Sequence, residues 1–168
     1  MGEPGQVNAA TRRGDQAARA ANTQLVHDFG LLIKAATRLE QRIDAALRRE
    51  CGISHTMLEV LIGLCREPGE EVSQRRLADD LILTSSGTTR LIDRMEEAGL
   101  VRRVPSPEDR RSILVEPTDH GRTVFLQAAA VHSHVVERHF VTPVARDDYP
   151  RLTGALSDIN ESLRGATD

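Results

Sequence analysis

The apolar positions of this chain first outline helices at its two ends. From residue 25, apolar side chains recur every three or four residues, a spacing that predicts a long amphipathic helix. The residues are Leu25, Phe29, Leu32, Ala36, Leu39, Ile43 and Leu47. The same spacing returns near the other end at Leu152, Leu156, Ile159 and Leu163. Two such helices carry more apolar surface than one small domain needs, which favours pairing of two chains as a homodimer. The alternative is that both helices belong to an intrachain core.

The middle of the chain contains shorter segments with clear helix starts. Ser54 and Ser73 are N-cap residues, each with an apolar residue before it and another four positions after it. A further helix is expected from Thr84 to Gly99, with Leu91, Met95 and Ala98 on its buried face. Two β-type runs follow, Val101–Val104 and Ser112–Val115, and predict a hairpin.

This order of elements is that of a winged helix-turn-helix: helix, tight turn, helix and two-stranded ribbon. Thr118 and Gly121 then open another long helix, which we expect to end near Val141, before Thr142-Pro143. The predicted fold class is therefore mainly α with a small β-wing. The winged helix-turn-helix lobe spans residues 53–121, and dimerisation helices span residues 23–52 and 122–168. Residues 1–22 lack apolar periodicity, which predicts a flexible N-terminal tail.

Two stretches of the sequence resemble the MarR family of bacterial transcriptional regulators. They are LADDLILTSSGTTRLIDRMEEAGLVRR and SPEDRRSILVEPTDHGR, and the resemblance covers roughly residues 25 to 165. It implies a homodimer that binds a pseudo-palindromic operator in double-stranded DNA, usually as a repressor, with a small-molecule effector that loosens binding. Two local departures are Ile82 in the turn and Pro117 in the second wing strand.

The resemblance also makes the helix that starts at Thr84 the DNA-recognition helix. Its N-terminal hydroxyl and N–H groups can meet phosphate or approach base edges. The expected contacts of this helix are Thr84, Ser85, Ser86, Thr88, Thr89, Arg90 and Arg94. The alternative for Arg90 and Arg94 is solvated arginines paired with Asp93 and Glu97. Gly87, inside the helix, costs about 1 kcal/mol relative to alanine and either permits close approach to DNA or loosens the helix.

Candidate contacts also lie on both sides of this helix. Gln74, Arg75 and Arg76 open the preceding helix and suit backbone phosphates, although a solvated face is the other interpretation. At the wing, Arg110 and Arg111 can enter a minor groove. The resemblance favours Arg111 for insertion and implies that Asp109 braces a wing arginine. It further places an effector pocket near Phe29, Ile33, Met57 and Leu61, each of which also suits plain core.

The charge of the chain limits how it can hold DNA. The formal net charge is −3, whereas four arginines face only two acids across residues 101–112. Binding by bulk charge is therefore excluded, and local patches must supply the attraction. The acidic balance leaves a winged-helix protein-interaction module as the competing interpretation.

Cysteines and histidines offer little chemistry. Cys51 and Cys65 are too few and too far apart for a disulfide framework, and Cys65 fits a small core residue. A redox role for Cys51 is the minor alternative. His132, His134 and His139 lie on one helix, where polar interface positions are favoured over a metal site. We expect no cofactor.

The sequence also contains no sign of an enzyme or of a membrane protein. It has no Walker loop, no HExxH and no nucleophile motif, so an enzyme is not expected. It shows neither a signal peptide nor a membrane span, and a cytoplasmic location is the expectation.

Overall fold

The computed structural model describes residues 4–66, 69, 71–81, 83–107 and 112–165. The chain divides into two compact units, residues 1–40 and 41–168. Seven α-helices and one two-stranded antiparallel sheet account for most of the described residues. None of the described helices combines the length and apolar character needed to cross a membrane.

The first unit consists of α1, Pro4–Ala21, and the first part of α2, Gln24–Cys51. Residues 4–21 of the segment predicted as a flexible tail thus form a helix. Its alanines and arginines are strong helix formers, and a search for apolar periodicity does not detect them. The break between the helices lies at Asn22 and Thr23, where the Thr23 hydroxyl accepts the Val26 N–H (3.3 Å) and starts α2.

The second unit contains the core. This unit begins with the last part of α2. Its next elements are α3 (His55–Cys65), α4 (Gln74–Asp80), α5 (Ser85–Glu97), β1 (Val101–Pro105) and β2 (Ile113–Pro117). The chain continues as α6 (Asp119–Val136), a π-helical turn (Glu137–Val141) and α7 (Tyr149–Gly165). The largest fully buried side chains include Leu47, Leu58, Leu61, Leu77, Ile92 and Met95.

Side-chain caps fix where the helices of the lobe begin. Ser54, Ser73, Thr84 and Thr118 each accept a backbone N–H from the first turn of their helix, as the sequence predicts. The apolar residues around the two serines, Ile53 with Leu58 and Val72 with Leu77, are buried. At its other end α5 stops at Gly99, whose φ of 69° is the left-handed conformation that a helix-ending glycine adopts. Ala98, predicted to be buried, is exposed at this end, and Ile92 occupies the core instead.

A main-chain hydrogen bond connects the wing sheet to the start of α4. β1 and β2 pair antiparallel, with Arg102 opposite Glu116 and Val104 opposite Leu114. The Val115 N–H donates to the Val72 carbonyl (2.9 Å), which ties β2 to the residue before the cap of α4. β2 extends through Pro117, which pairs with Val101 and is the last residue of the strand. A proline is tolerated at a strand end because no ladder N–H is required there.

Candidate nucleic-acid interface

The N-terminus of α5 presents a capped, polar first turn. The Thr84 hydroxyl accepts the Gly87 N–H at 3.1 Å, and Ser85 and Ser86 are exposed beside it. A Cβ atom at residue 87 would lie 3.1 Å from the Thr84 oxygen, closer than side chains usually pack. Gly87 therefore lets the cap sit tightly against the first turn, which is a local reason for a glycine inside this helix.

The outer side of α5 carries unpaired cations. Leu91, Ile92 and Met95 are buried, whereas Arg90 and Arg94 are exposed. Within the part of the chain that the structure describes, neither arginine forms an ion pair. The alternative in which they pair with Asp93 and Glu97 is therefore not what the described residues form. Their charge remains available to an anionic partner.

Thr88 is the exception among the predicted contacts of α5. Its side chain is fully buried, and its hydroxyl donates to the Thr84 carbonyl at 3.2 Å. Successive residues of an α-helix are rotated by about 100° around its axis, so position 88 lies on the same side as Leu91, Ile92 and Met95. Thr88 is consequently a core residue, and its hydroxyl cannot reach DNA without displacement of the helix.

The helix before the turn contributes a second set of polar side chains. Arg75 is exposed, and Arg76 lies 3.7 Å from Asp80 on the same helix. Gln74 is half-buried, and its amide nitrogen donates to the Thr89 hydroxyl at 2.8 Å. Gln74 thus links α4 to α5 rather than pointing freely outward. A cavity of about 530 Å³ lies between the two helices, lined on its polar side by Gln74, Arg75, Asp79, Ser85 and Thr89.

Arg103 on β1 has a role that the sequence does not reveal. Its guanidinium lies 2.6 Å from the Asp93 carboxylate and 2.6 Å from the Glu96 carboxylate, and its side chain is only 24% exposed. Partial burial lowers the pKa of Arg103, but the hydrogen bonds that its guanidinium donates to the two carboxylates outweigh burial and raise that pKa above its ordinary value. Asp93 and Glu96 are three residues apart and share a face of α5. This spacing is the feature of the sequence that could have indicated a shared cationic partner. The sequence predicts the strand that carries Arg103, but not that this strand brings the guanidinium to the two carboxylates.

Internal ion pairs reduce the number of wing arginines that are available to a partner. Arg102 pairs with Glu116 across the sheet at 2.6 Å, and Arg103 is held by α5. Two of the four arginines of residues 101–112 are therefore engaged internally. The predicted contacts Arg110 and Arg111, and the predicted brace Asp109, lie outside the described residues.

The predicted effector-pocket residues occupy different environments. Leu61 has no exposed surface, and Met57 on the same helix is half-buried. Phe29 and Ile33 are exposed on α2, at 61% and 48%. Each residue lies on the helix that the sequence assigns to it, and the pocket itself stays a prediction.

The cysteines and histidines have environments that disfavour reactivity and metal binding. Burial and the neighbouring Glu50 raise the pKa of the Cys51 thiol, and burial raises that of Cys65 although Arg122 opposes the rise. Neither thiol is activated as a thiolate. His132 stacks on His55 with 5.7 Å between ring centres, and burial together with His55 lowers its pKa. No group of three potential ligands that could hold a metal occurs among the described residues.

Comparison with known proteins gives a consistent set of relatives. Residues 51–112 match the model of the MarR family. The regulator PecS of Dickeya dadantii is 28% identical over 138 residues, which cover 79% of this chain and 82% of PecS. The structure of AbsC, a MarR family regulator from Streptomyces coelicolor, superposes with a TM-score of 0.78 at 29% identity, covering 85% of this chain and 97% of AbsC.

A second Streptomyces coelicolor regulator was solved together with DNA. The MarR family protein Sco3205 superposes with a TM-score of 0.78 at 28% identity, covering 88% of this chain and 95% of Sco3205. The family and these relatives are transcriptional regulators, not enzymes. The capped helix pair, the two-stranded wing and the flanking helices are thus the parts of a known architecture, which this chain shares with the MarR family of transcriptional regulators.

Proposed function

We propose that this chain binds double-stranded DNA with α5 in the major groove and the β1–β2 wing beside it. The observation that carries the proposal is the exposed side of α5, where Arg90 and Arg94 have no ion pair among the described residues. Exposed arginines without an ion-pair partner on a helix can bind guanine edges and backbone phosphates. Sco3205, which shares this architecture, has been crystallised in complex with DNA.

The surrounding residues fit supporting positions in such a complex. The exposed hydroxyls of Ser85 and Ser86 in the first turn of α5 suit phosphate oxygens, whereas the Thr89 hydroxyl already donates to the Ser85 carbonyl (3.0 Å) and accepts from Gln74 (2.8 Å). Arg75 on α4 flanks the same side and has no ion pair in the described part of the chain. We infer that Arg111 at the wing tip enters the adjacent minor groove and that Asp109 braces a neighbouring arginine.

Two copies of the chain are required for this function. The exposed apolar residues of α2 include Leu25, Val26, Phe29 and Leu32, and those of α7 include Ile159 and Leu163. Such surface is costly to leave in water, and monomeric proteins rarely display apolar patches of large extent. We infer that a second copy covers these faces and forms a homodimer, which would read a pseudo-palindromic operator.

Regulation by a small molecule completes the proposal. We infer that the protein is a repressor released by an effector that binds near Phe29, Ile33, Met57 and Leu61. Phe29 and Ile33 are accessible, whereas Leu61 is enclosed. An effector in contact with Leu61 would therefore have to open the core around α3, which would disturb the wing strand β2 and α6 that pack on this helix.

Selection of bound fragments tests the DNA-binding part directly. The purified full-length protein is incubated at physiological salt with sheared genomic DNA from its own organism, and the bound fragments are sequenced and footprinted. We expect enrichment of discrete sites with half-sites about one helical turn apart. Retention of fragments without common sequence would contradict specific binding.

Single arginine variants test the role of α5 on a recovered fragment. Arg90→Ala and Arg94→Ala should each weaken binding by about 1–3 kcal/mol if they contact bases. The matched control is Arg146→Ala, which removes the same charge from an exposed position in the segment before α7. Equal losses for all three variants in an electrophoretic or anisotropy titration would mean that only overall charge matters.

A further inference from the structure

Arg103 connects three elements of the helix-turn-helix lobe. On α5 its NH2 group donates to Asp93 (2.6 Å) and to the Thr89 carbonyl (3.4 Å), and its NH1 group donates to Glu96 (2.6 Å). Its Nε donates to the Gln74 amide oxygen on α4 at 3.5 Å. The main-chain N–H of Arg103 adds a further bond to Glu96 at 3.1 Å. One side chain from β1 thus holds both helices of the pair.

The three guanidinium nitrogens of Arg103 are all engaged inside the protein. A planar guanidinium offers donors in a fixed fork, so its bonds to two carboxylates on one helix face restrain the rotation of that helix about its axis. Gln74 extends the restraint, because its amide also donates to the Thr89 hydroxyl (2.8 Å). Arg103 therefore has little capacity left to grip a phosphate.

The same contacts set the charge on the outer side of α5. Asp93 and Glu96 are exposed by 51% and 41% and lie on the helix that carries Arg90 and Arg94. Carboxylates left unneutralised there would repel a polyanion. The guanidinium of Arg103 offsets their charge without itself pointing outward.

We propose that Arg103 is the positioning residue for DNA recognition, acting on α5 through Asp93 and Glu96 and not by contact with DNA. This inference rests on the proposed DNA-binding function. It separates Arg103 from Arg90 and Arg94, whose positive charge meets the nucleic acid directly. It also assigns Gln74 to the restraint of α5 and not to a phosphate.

A double-mutant cycle on a selected genomic fragment distinguishes positioning from contact. Arg103→Met is measured in the parent protein and in a carboxylate-free background that carries Asp93→Asn and Glu96→Gln. We expect at least tenfold weaker binding in the parent and less than threefold weaker binding in the carboxylate-free background. A tenfold loss in both backgrounds would overturn the proposal. Direct contact would also lower the slope of log affinity against log salt concentration by about 1, as expected for the loss of one phosphate contact. A loss below threefold in the parent would overturn it as well.

Three controls keep the outcomes separate. Arg90→Ala should lose similar affinity in both backgrounds, because its contact does not pass through the carboxylates. If circular dichroism shows that Arg103→Met does not fold, Arg103→Lys replaces it, with an intermediate loss in the parent and none in the carboxylate-free background. If the parent protein itself selects no fragment, the proposed function fails. If the parent binds DNA but the loss caused by Arg103→Met is the same in both backgrounds, only the proposed role of Arg103 is refuted.

Discussion

At residue 121 the backbone of α6 passes so close to the Leu100 carbonyl group that a Cβ atom would collide with it. The neighbouring Thr118 fixes this approach, because its hydroxyl accepts the Gly121 N–H (2.9 Å) and donates to the Gly99 carbonyl (2.5 Å). The start of α6 is thereby bonded to the end of α5. A glycine at position 121 is a steric requirement of this junction.

Gly121→Ala should therefore destabilise the protein. Backbone atoms cannot yield as a flexible side chain can, so we expect the free energy of unfolding to fall by about 1–3 kcal/mol. Denaturant unfolding at a fixed protein concentration measures it. The control is Gly63→Ala in α3, whose Cβ would meet Leu77 at an ordinary 3.7 Å, and which should be neutral or stabilising by up to about 1 kcal/mol. Similar behaviour of the two variants would mean that the junction can relax.

At the scale of elements, what the sequence reveals depends on how local the determining interaction is. The caps at Ser54, Ser73, Thr84 and Thr118 could be predicted, because each bond spans three residues. The α1 helix was missed, because it depends on propensity without an apolar stripe. The role of Arg103 was missed for a different reason. Its partners are seven to twenty-nine residues away in sequence, and only the path of β1 brings them together.

Asp44 joins two elements through such a nonlocal contact. One carboxylate oxygen accepts the His55 N–H at the start of α3 (2.9 Å), and the other accepts Arg48 Nε on α2 (2.6 Å). The hydrogen bond from Arg48, followed by that from His55, lowers the pKa of Asp44 below its usual 3.8. The charged carboxylate is thus favoured in the folded protein.

Replacement of Asp44 by Asn should reveal this link as a pH-dependent loss of stability. Because the folded state lowers the pKa, the stabilisation is present above pH 3.8 and disappears as the pH falls through the folded-state value. We expect Asp44→Asn to lower the free energy of unfolding by about 0.5–1.5 kcal/mol at pH 7 and to match the parent in strong acid. Urea titrations across pH test it, with Glu59→Gln on the exposed side of α3 as control. A difference that persists at low pH would mean that packing, not charge, is responsible.

At the scale of the whole molecule, the net charge of −3 restricts how DNA can be held. Arg102 and Arg103 are engaged internally, so the unpaired cations described on the helix pair are few, chiefly Arg75, Arg90 and Arg94. A single copy with so few phosphate contacts would bind weakly at physiological salt. Joining two copies makes the second contact intramolecular and raises the overall affinity without any new residue. Dimerisation is therefore the condition on which the proposed regulation depends.

Charges placed in the apolar face of α2 should consequently abolish both the dimer and DNA binding. Leu25 and Phe29 are exposed by 78% and 61%, so a variant with Leu25→Glu and Phe29→Glu leaves the lobe of residues 53–121 unaltered. We expect light scattering to give a dimer for the parent and a monomer for the variant, with operator affinity reduced at least a hundredfold because avidity is lost. Lys34→Glu, exposed on the same helix, should remain dimeric. A monomeric parent, or a charged variant that still dimerises, would show that these faces do not pair two chains.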